Sequence, residues 1–167
     1  ALDIQHPFLN RTIQSSYEPA STFKVIMSTA IIEEGLFDVN KTINCEGSVW
    51  FGNREFKCHV PEGHGDLILH EALEESCNVY FYTVGLKSLG VEIISDYARR
   101  FGYGSYTGID LPGEIPGLVP TPDWKKHIYN TSWVGGDTVN MSIGQGFLNA
   151  TPLQMANMMA MIVNKGI

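Results

Sequence analysis

Pro19-Ala20-Ser21-Thr22-Phe23-Lys24 is the most informative stretch of this 167-residue chain. It leads into apolar residues at helical spacing that stop at Gly35, which predicts a helix beginning near Ser21. Side chains three residues apart share a helix face, so we expect the Ser21 hydroxyl to meet the Lys24 amine. Because burial lowers the basicity of a lysine, Lys24 can serve as the base that activates a serine nucleophile. The bare pattern also arises by chance, with the serine acting only as a helix cap.

A second candidate motif, Ser76-Cys77-Asn78, lies at a break between two predicted helices, about 67–75 and 79–89. A hydroxyl and an amide at such a break can reach one substrate. Ser76 is then a proton shuttle and Asn78 a hydrogen-bonding partner. Asn78 also suits a helix cap, and the two roles are compatible.

The remaining pattern predicts a mainly helical chain without regular strand–helix alternation. Turns and short strands are expected over 40–65, and a glycine- and proline-rich loop over 108–122. Asp66 is the expected cap of the helix that follows it, and a further helix is expected over 91–101. Thr151, Pro152 and Gln154 form a capping-box pattern that predicts the start of a last helix.

Composition excludes some classes of function. The chain has 11 Lys and Arg against 18 Asp and Glu, a net charge of −7, which argues against binding nucleic acid. The two most apolar stretches, Val25–Ile32 and Met155–Val163, are far shorter than the roughly 20 residues of a membrane-spanning helix. The chain starts at Ala1 without an initiator Met and stops within a pattern. We therefore expect a piece of a longer protein whose membrane anchor lies elsewhere.

The three cysteines leave an odd count. Cys45 and Cys58 lie close enough in sequence to form a disulfide in an oxidising compartment. Cys45, Cys58, His59 and His64 offer metal ligands, but their spacing matches no standard zinc pattern. A disulfide or free thiols are favoured over a metal, and the sequence predicts no metal site.

Together these motifs resemble the transpeptidase domain of class B penicillin-binding proteins. That family carries Ser-x-x-Lys, Ser-x-Asn and Lys-Thr-Gly in this order, and the first two match Ser21, Lys24, Ser76 and Asn78. The similar stretches cover nearly the whole chain in the order of the family: 10–14, 17–19, 107–114, 120–124, 136–138, 142–146 and 150–154. Gly63-His64-Gly65 and Tyr80-Phe81-Tyr82 are most similar to penicillin-binding protein 2, the elongation-specific branch.

The sequence departs from the family in two places. Ala20 stands where these transpeptidases usually have glycine, which is a mild change. Lys-Thr-Gly does not occur in the chain. The resemblance implies an α/β (α+β) penicillin-recognising serine transferase, or β-lactamase-like, fold. Residues 1–167 are then a fragment of its helical part that lacks the early strands and the Lys-Thr-Gly strand, with an incomplete active site.

The resemblance also implies a mechanism. Ser21 attacks the D-alanyl-D-alanine end of a peptidoglycan stem peptide, D-alanine leaves, and an amine of a neighbouring stem takes the acyl group. Lys24 accepts the serine proton, Ser76 helps to pass it to the leaving group, and neither cofactor nor metal takes part. β-Lactams acylate the same serine. The expected location is the extracytoplasmic side of the bacterial membrane, and the expected partners are proteins of the cell-wall elongation machinery.

Two other functions fit parts of the sequence. Pro-Ala-Ser-Thr-Phe-Lys is equally similar to the nucleophile motif of class D β-lactamases, although these usually have valine at the position of Asn78. A non-catalytic β-lactam sensor or scaffold is the third possibility. Asp137 and Thr138 are interpreted as a turn and a cap rather than as catalytic residues.

Overall fold

A computed structural model describes residues 8–166. Eight α-helices and four short strands are assigned within this range: α1 (Arg11–Gln14), α2 (Lys24–Glu34), β1 (Ile43–Cys45), β2 (Ser48–Phe51), β3 (Arg54–Lys57), β4 (Gly65–Leu67), α3 (Leu69–Glu74), α4 (Asn78–Val84), α5 (Gly90–Arg100), α6 (Pro122–Tyr129), α7 (Gly135–Met141) and α8 (Pro152–Val163). A 3₁₀ turn over Ala20–Phe23 precedes α2, and a π turn over Gly85–Leu89 joins α4 to α5. The mixed but mainly helical architecture confirms the predicted fold class. Between residues 8 and 166, no helix has both the length and the apolar character needed to cross a bilayer.

Helix α2 lies at the centre of the hydrophobic core. Its apolar residues Ile26, Met27, Ala30 and Ile31 are fully buried and it packs against α3, α4 and α5. Each large side chain buried in this way contributes roughly 1.5–3 kcal/mol to folding. The helix ends, as predicted, at Gly35, which takes the left-handed conformation with φ +62°. The residues just before α2 are therefore held on a rigid support.

The strands form two separate antiparallel pairs, as the turn-rich pattern of this region predicted. β1 pairs with β4, and β2 forms a hairpin with β3. Phe56, the buried residue of β3, packs edge-on against Tyr82 of α4 at 5.7 Å between ring centroids. This contact holds the hairpin against the helix that follows the Ser76-Cys77-Asn78 motif.

The predicted cap of α3 is wrong. Asp66 belongs to β4, where it faces Asn44 and accepts a hydrogen bond from its Nδ2 at 2.9 Å. The helix begins three residues later, and Glu71 Oε2 accepts from the Ile68 N–H at 2.9 Å. A short polar residue before an apolar run suits a strand end as well as a cap, and only the long-range pairing with β1 decides between them.

Three helices were not predicted: the single-turn α1, and α6 and α7. Helix α6 has no buried residue, so its sequence lacks the apolar periodicity on which the prediction relied. Helix α7 begins with Gly135 and Gly136, which normally indicate a loop. Asp137 does cap the first turn of α7, since its carboxylate accepts from the Val134 N–H at 2.9 Å and pairs with Lys125 at 2.5 Å. Its interpretation as a cap is confirmed.

The start of α8 was predicted correctly. Thr151 Oγ1 accepts from the Gln154 N–H at 3.2 Å, and Gln154 Oε1 accepts from the Thr151 N–H at 2.8 Å. The buried Gln154 side chain also donates to the carbonyl oxygens of Ser105 and Pro116, at 2.7 and 2.8 Å. This one residue therefore fixes both the helix start and the long loop that precedes α6.

Candidate active site

The candidate nucleophile, Ser21, lies in the 3₁₀ turn that leads into α2. The turn is held by two hydrogen bonds, from Thr22 Oγ1 to the Pro19 carbonyl at 2.6 Å and from the Ala20 N–H to the Gly144 carbonyl at 2.9 Å. Ser21 is exposed whereas Lys24 is fully buried. The serine hydroxyl therefore lies at the surface of the protein, with the lysine amine in the interior beneath it.

The backbone around Ser21 is strained and closely packed. Ala20 has φ +48°, a left-handed conformation that costs an L-residue roughly 1–2 kcal/mol and that glycine adopts freely. This explains physically why a glycine suits the position before the serine. Gly144 packs so tightly against the turn that a Cβ added to it would lie 2.4 Å from the Ala20 carbonyl oxygen. The close packing of Gly144 against this turn fixes the position of Ser21.

Lys24 is held by the Ser76-Cys77-Asn78 motif. Its Nζ donates to the Ser76 carbonyl at 2.6 Å, to Ser76 Oγ at 3.1 Å and to Asn78 Oδ1 at 2.6 Å, which uses all three N–H donors of an ammonium group. All three acceptors are uncharged. Burial is the largest effect on this group and lowers the pKa of Lys24 from 10.5 to about 8, while negative charge on Cys58 and Cys77 acts in the opposite direction.

Ser76 connects Lys24 to Ser21. Its Oγ lies 3.0 Å from Ser21 Oγ and 3.1 Å from Lys24 Nζ, so the hydrogen-bonded path from Lys24 to Ser21 passes through Ser76. The sequence predicted that Ser21 and Lys24 meet, whereas the structure links them through this third residue. Ser76 has φ +52°, and such local strain is often found in residues held for function.

The predicted site lies at a cleft of about 340 Å³. Ser21, Ser76 and Asn78 line it, so three of the four predicted site residues lie together at the surface and Lys24 lies behind them. Sequence reasoning did not assign the other side chains of the wall to the site. They are Ala20, Lys57, His59, Tyr82, Ile143 and Gln145. Ala20, Tyr82, Ile143 and Gln145 lie in stretches that carry the family resemblance and could have suggested them, whereas Lys57 and His59 do not.

A cluster of cysteine and histidine side chains lies behind the Ser76-Cys77-Asn78 motif. The ligand atoms of Cys45, Cys58, His64 and Cys77 all lie within 4.8 Å of one another. His64 Nδ1 is 3.5 Å from Cys45 Sγ and 3.6 Å from Cys58 Sγ. The three cysteines are free and buried. Cys77 thus takes the place that the sequence analysis gave to His59 in this group.

This donor set fits a metal ion of one kind. Three thiols and one imidazole in a buried group form a closed tetrahedral set, typical of structural Zn²⁺. Burial acts to raise the pKa of Cys58, but the N–H groups of Val60, Asn78 and Val79 outweigh it and lower that pKa, which favours the thiolate. The Asn78 N–H donates to Cys58 Sγ at 3.3 Å, so the cluster directly supports the Ser76-Cys77-Asn78 motif.

Several known proteins are similar to this chain in sequence and in architecture. A family profile described as the penicillin-binding protein transpeptidase domain matches residues 2–167. The peptidoglycan D,D-transpeptidase MrdA of Escherichia coli K12 is 36% identical over 169 residues, which cover 99% of this chain and 26% of the relative.

Two solved structures are similar over most of the chain. The PBP2 of Pseudomonas aeruginosa in complex with WCK 5153 is 32% identical, with a TM-score of 0.92 over 99% of this chain and 38% of that chain. The Helicobacter pylori PBP2 in its complex with MreC is 38% identical, with a TM-score of 0.87 over 92% of this chain and 29% of that chain. The chain spans about a quarter of the length of the curated relatives it matches. It belongs to the penicillin-binding protein transpeptidase family, in the branch of MrdA and PBP2.

Proposed function

We propose that the full-length protein is a peptidoglycan D,D-transpeptidase that acts through an acyl-enzyme on Ser21. The observation that carries this proposal is the continuous chain of contacts from Lys24 Nζ through Ser76 Oγ to Ser21 Oγ, at 3.1 and 3.0 Å, on the wall of an open cleft. The substrate is a stem peptide ending in D-alanyl-D-alanine, and β-lactams acylate the same serine.

The proton follows this chain of contacts. With a pKa of about 8, about a tenth of Lys24 is neutral at pH 7, which is enough to supply a base. Ser21 passes its proton to Ser76 as its oxygen attacks the carbonyl carbon, and Ser76 passes its own proton to Lys24. The reverse transfer protonates the departing D-alanine amine. Asn78 keeps the lysine amine in place throughout, since its Oδ1 accepts one of the three N–H bonds.

Other parts of the full-length protein complete the site and its setting. A strand carrying Lys-Thr-Gly supplies the missing wall of the cleft, and a membrane anchor outside this chain holds the domain on the extracytoplasmic side. Because a PBP2 relative forms a complex with MreC, we propose that this protein also binds elongation proteins of that kind.

Turnover of a defined peptide pair tests the proposed activity. We expect the full-length protein, given a donor ending in D-alanyl-D-alanine and an amine acceptor peptide, to release D-alanine and form a cross-linked product. A donor ending in D-alanyl-L-alanine is the matched control and should remain intact. Hydrolysis of β-lactams without any cross-linking would favour the β-lactamase alternative, and binding without any chemistry would favour the sensor.

We also propose that Cys45, Cys58, His64 and Cys77 hold a structural Zn²⁺. Cys77 stands between the two polar residues of the catalytic motif, so fixing its Sγ fixes the backbone on both sides. The ion takes no part in the proton path of this proposal. Its contribution is to hold the motif against the strand region, because Cys45 ends β1 and Cys58 and His64 lie between β3 and β4.

Two neighbouring histidines provide the test of the metal site. We expect the purified full-length protein to contain about one zinc per chain, and His64→Gln to lose it and to unfold at a temperature roughly 5–10 °C lower. His59→Gln is the matched control, since His59 lies outside the four-residue cluster, and it should keep the metal. Metal content is read by elemental analysis and unfolding by calorimetry. Equal zinc in both variants, or none in the wild-type protein, contradicts the proposal.

A further inference from the structure

The charge of the catalytic cleft differs from that of the chain. The protein carries a net charge of −7, yet no Asp or Glu is among the described residues that line the cleft. Two basic side chains, Lys57 and His59, line it instead, and both are exposed. A cationic wall on an acidic protein attracts an anionic ligand and repels a cationic one.

Lys57 lies where the cleft meets a second groove. It is the last residue of β3, and its carbonyl oxygen accepts from Tyr82 OH at 3.4 Å, which ties this end of the strand to the cleft wall. The second groove, of about 280 Å³, is lined by Lys57 together with Glu46 and Glu55. The positive charge of Lys57 therefore lies at the junction of the two grooves, and the negative charges of Glu46 and Glu55 lie further along the second groove.

We propose that Lys57 is a specificity-determining residue that binds a side-chain carboxylate of the donor peptide, upstream of the bond that Ser21 attacks. This inference rests on the proposed transpeptidase function and names the substrate that the site prefers. The preferred donor carries an acidic side group on a residue preceding the D-alanyl pair, and its amidated form is the poorer substrate.

The length of the donor peptide on each side of the reacting carbonyl assigns the bound carboxylate to the upstream part. On the leaving side of the reacting carbonyl the donor has a single residue, whereas the retained side is the remainder of the stem. The retained side is the part that needs space beyond the cleft, and the second groove provides it next to Lys57. Glu46 and Glu55 repel an anion placed further along the groove, so Lys57 also fixes the register of the peptide.

Two synthetic donors and the full-length protein test this inference. The donors are identical except that one carries a free side-chain carboxylate and the other its amide, and KM and kcat are measured from D-alanine release. We expect Lys57→Gln to raise KM for the carboxylate donor about 5- to 10-fold with kcat unchanged, and to leave both constants for the amide donor unchanged. Lys57→Glu should raise KM further. Lys87→Gln, an exposed lysine outside the cleft, is the control.

Each alternative outcome is distinguishable. If Lys57→Gln weakens both donors equally, the lysine binds a group that the two share, such as the terminal carboxylate, and the inference is wrong. If the wild-type protein turns over both donors with the same KM, the inference is also wrong while the transpeptidase function stands. If the wild-type protein releases no D-alanine from either donor, the proposed function fails and the inference fails with it.

Discussion

Replacing Ser21 by alanine is expected to abolish acylation and turnover in the full-length protein. In the proposed mechanism the Ser21 hydroxyl is the group that forms the covalent bond, and Ser76, 3.0 Å away, passes on its proton. Loss of a nucleophile leaves only the catalysis that binding and the oxyanion site provide, so we expect a fall of at least about 10⁴-fold. The measurement is the second-order rate constant for reaction with a fluorescent penicillin.

The fold should tolerate this change. Ser21 is exposed, and alanine removes only an oxygen from the surface of the 3₁₀ turn. The unfolding temperature of Ser21→Ala should therefore match that of the control Ser105→Ala, whose side chain is exposed and lies outside the cleft. A folded Ser21→Ala protein that still reacts with penicillin at the wild-type rate shows that another residue is the nucleophile.

Replacing Lys24 by methionine is expected to slow acylation by about 10²- to 10⁴-fold, the usual contribution of a general base. Methionine has a similar length but cannot accept a proton. The rate of the wild-type protein should rise with pH and level off above about 8, because the neutral amine is the active form and burial has lowered its pKa to that value. Lys24→Met should lack this rise, and the pH profile is the measurement that separates a lost base from a damaged fold.

Stability must be followed in the same experiment. Lys24 is fully buried, and its removal leaves the oxygens of Ser76 and Asn78 without their donor, which destabilises the protein by roughly 1–3 kcal/mol. Lys41→Met, at an exposed lysine whose amine lies over the Phe37 ring, is the control. A Lys24→Met protein that keeps both the rate and the pH dependence of the wild type contradicts the assignment of Lys24 as the base.

Local signals allowed the helix ends around the site to be predicted. The left-handed Gly35 and the reciprocal bonds of Thr151 and Gln154 depend on residues close in sequence, so the pattern alone contained them. The misplaced cap at Asp66 depends instead on pairing with a distant strand. The start of α6 did carry a local signal that the prediction did not use, since Thr121 Oγ1 accepts from the Trp124 N–H at 3.1 Å and Pro122 takes the first helical position. An exposed helix and a helix that starts with two glycines have no apolar periodicity to reveal them.

The prediction of the site was likewise correct where it depended on residues close in sequence and incomplete where it depended on distant contacts. Spacing placed Ser21 and Lys24 on neighbouring turns, and the break between helices marked Ser76 and Asn78. Spacing did not show that Ser76 lies between the serine and the lysine, since this depends on how α2 packs against α4. Spacing also did not indicate that Cys77 lies close to Cys45, because these residues meet only once the strands have folded onto the helices.

The most direct test of this account is to identify the residue that penicillin modifies. The full-length protein is incubated with a fluorescent penicillin, samples are taken over a time course, and the digested protein is mapped by mass spectrometry. The account predicts one adduct that persists over minutes, on the peptide containing Ser21. An adduct on another residue, or none on a protein that is demonstrably folded, would contradict it. An adduct on Ser21 that disappears within seconds as hydrolysed penicillin accumulates would instead indicate a β-lactamase.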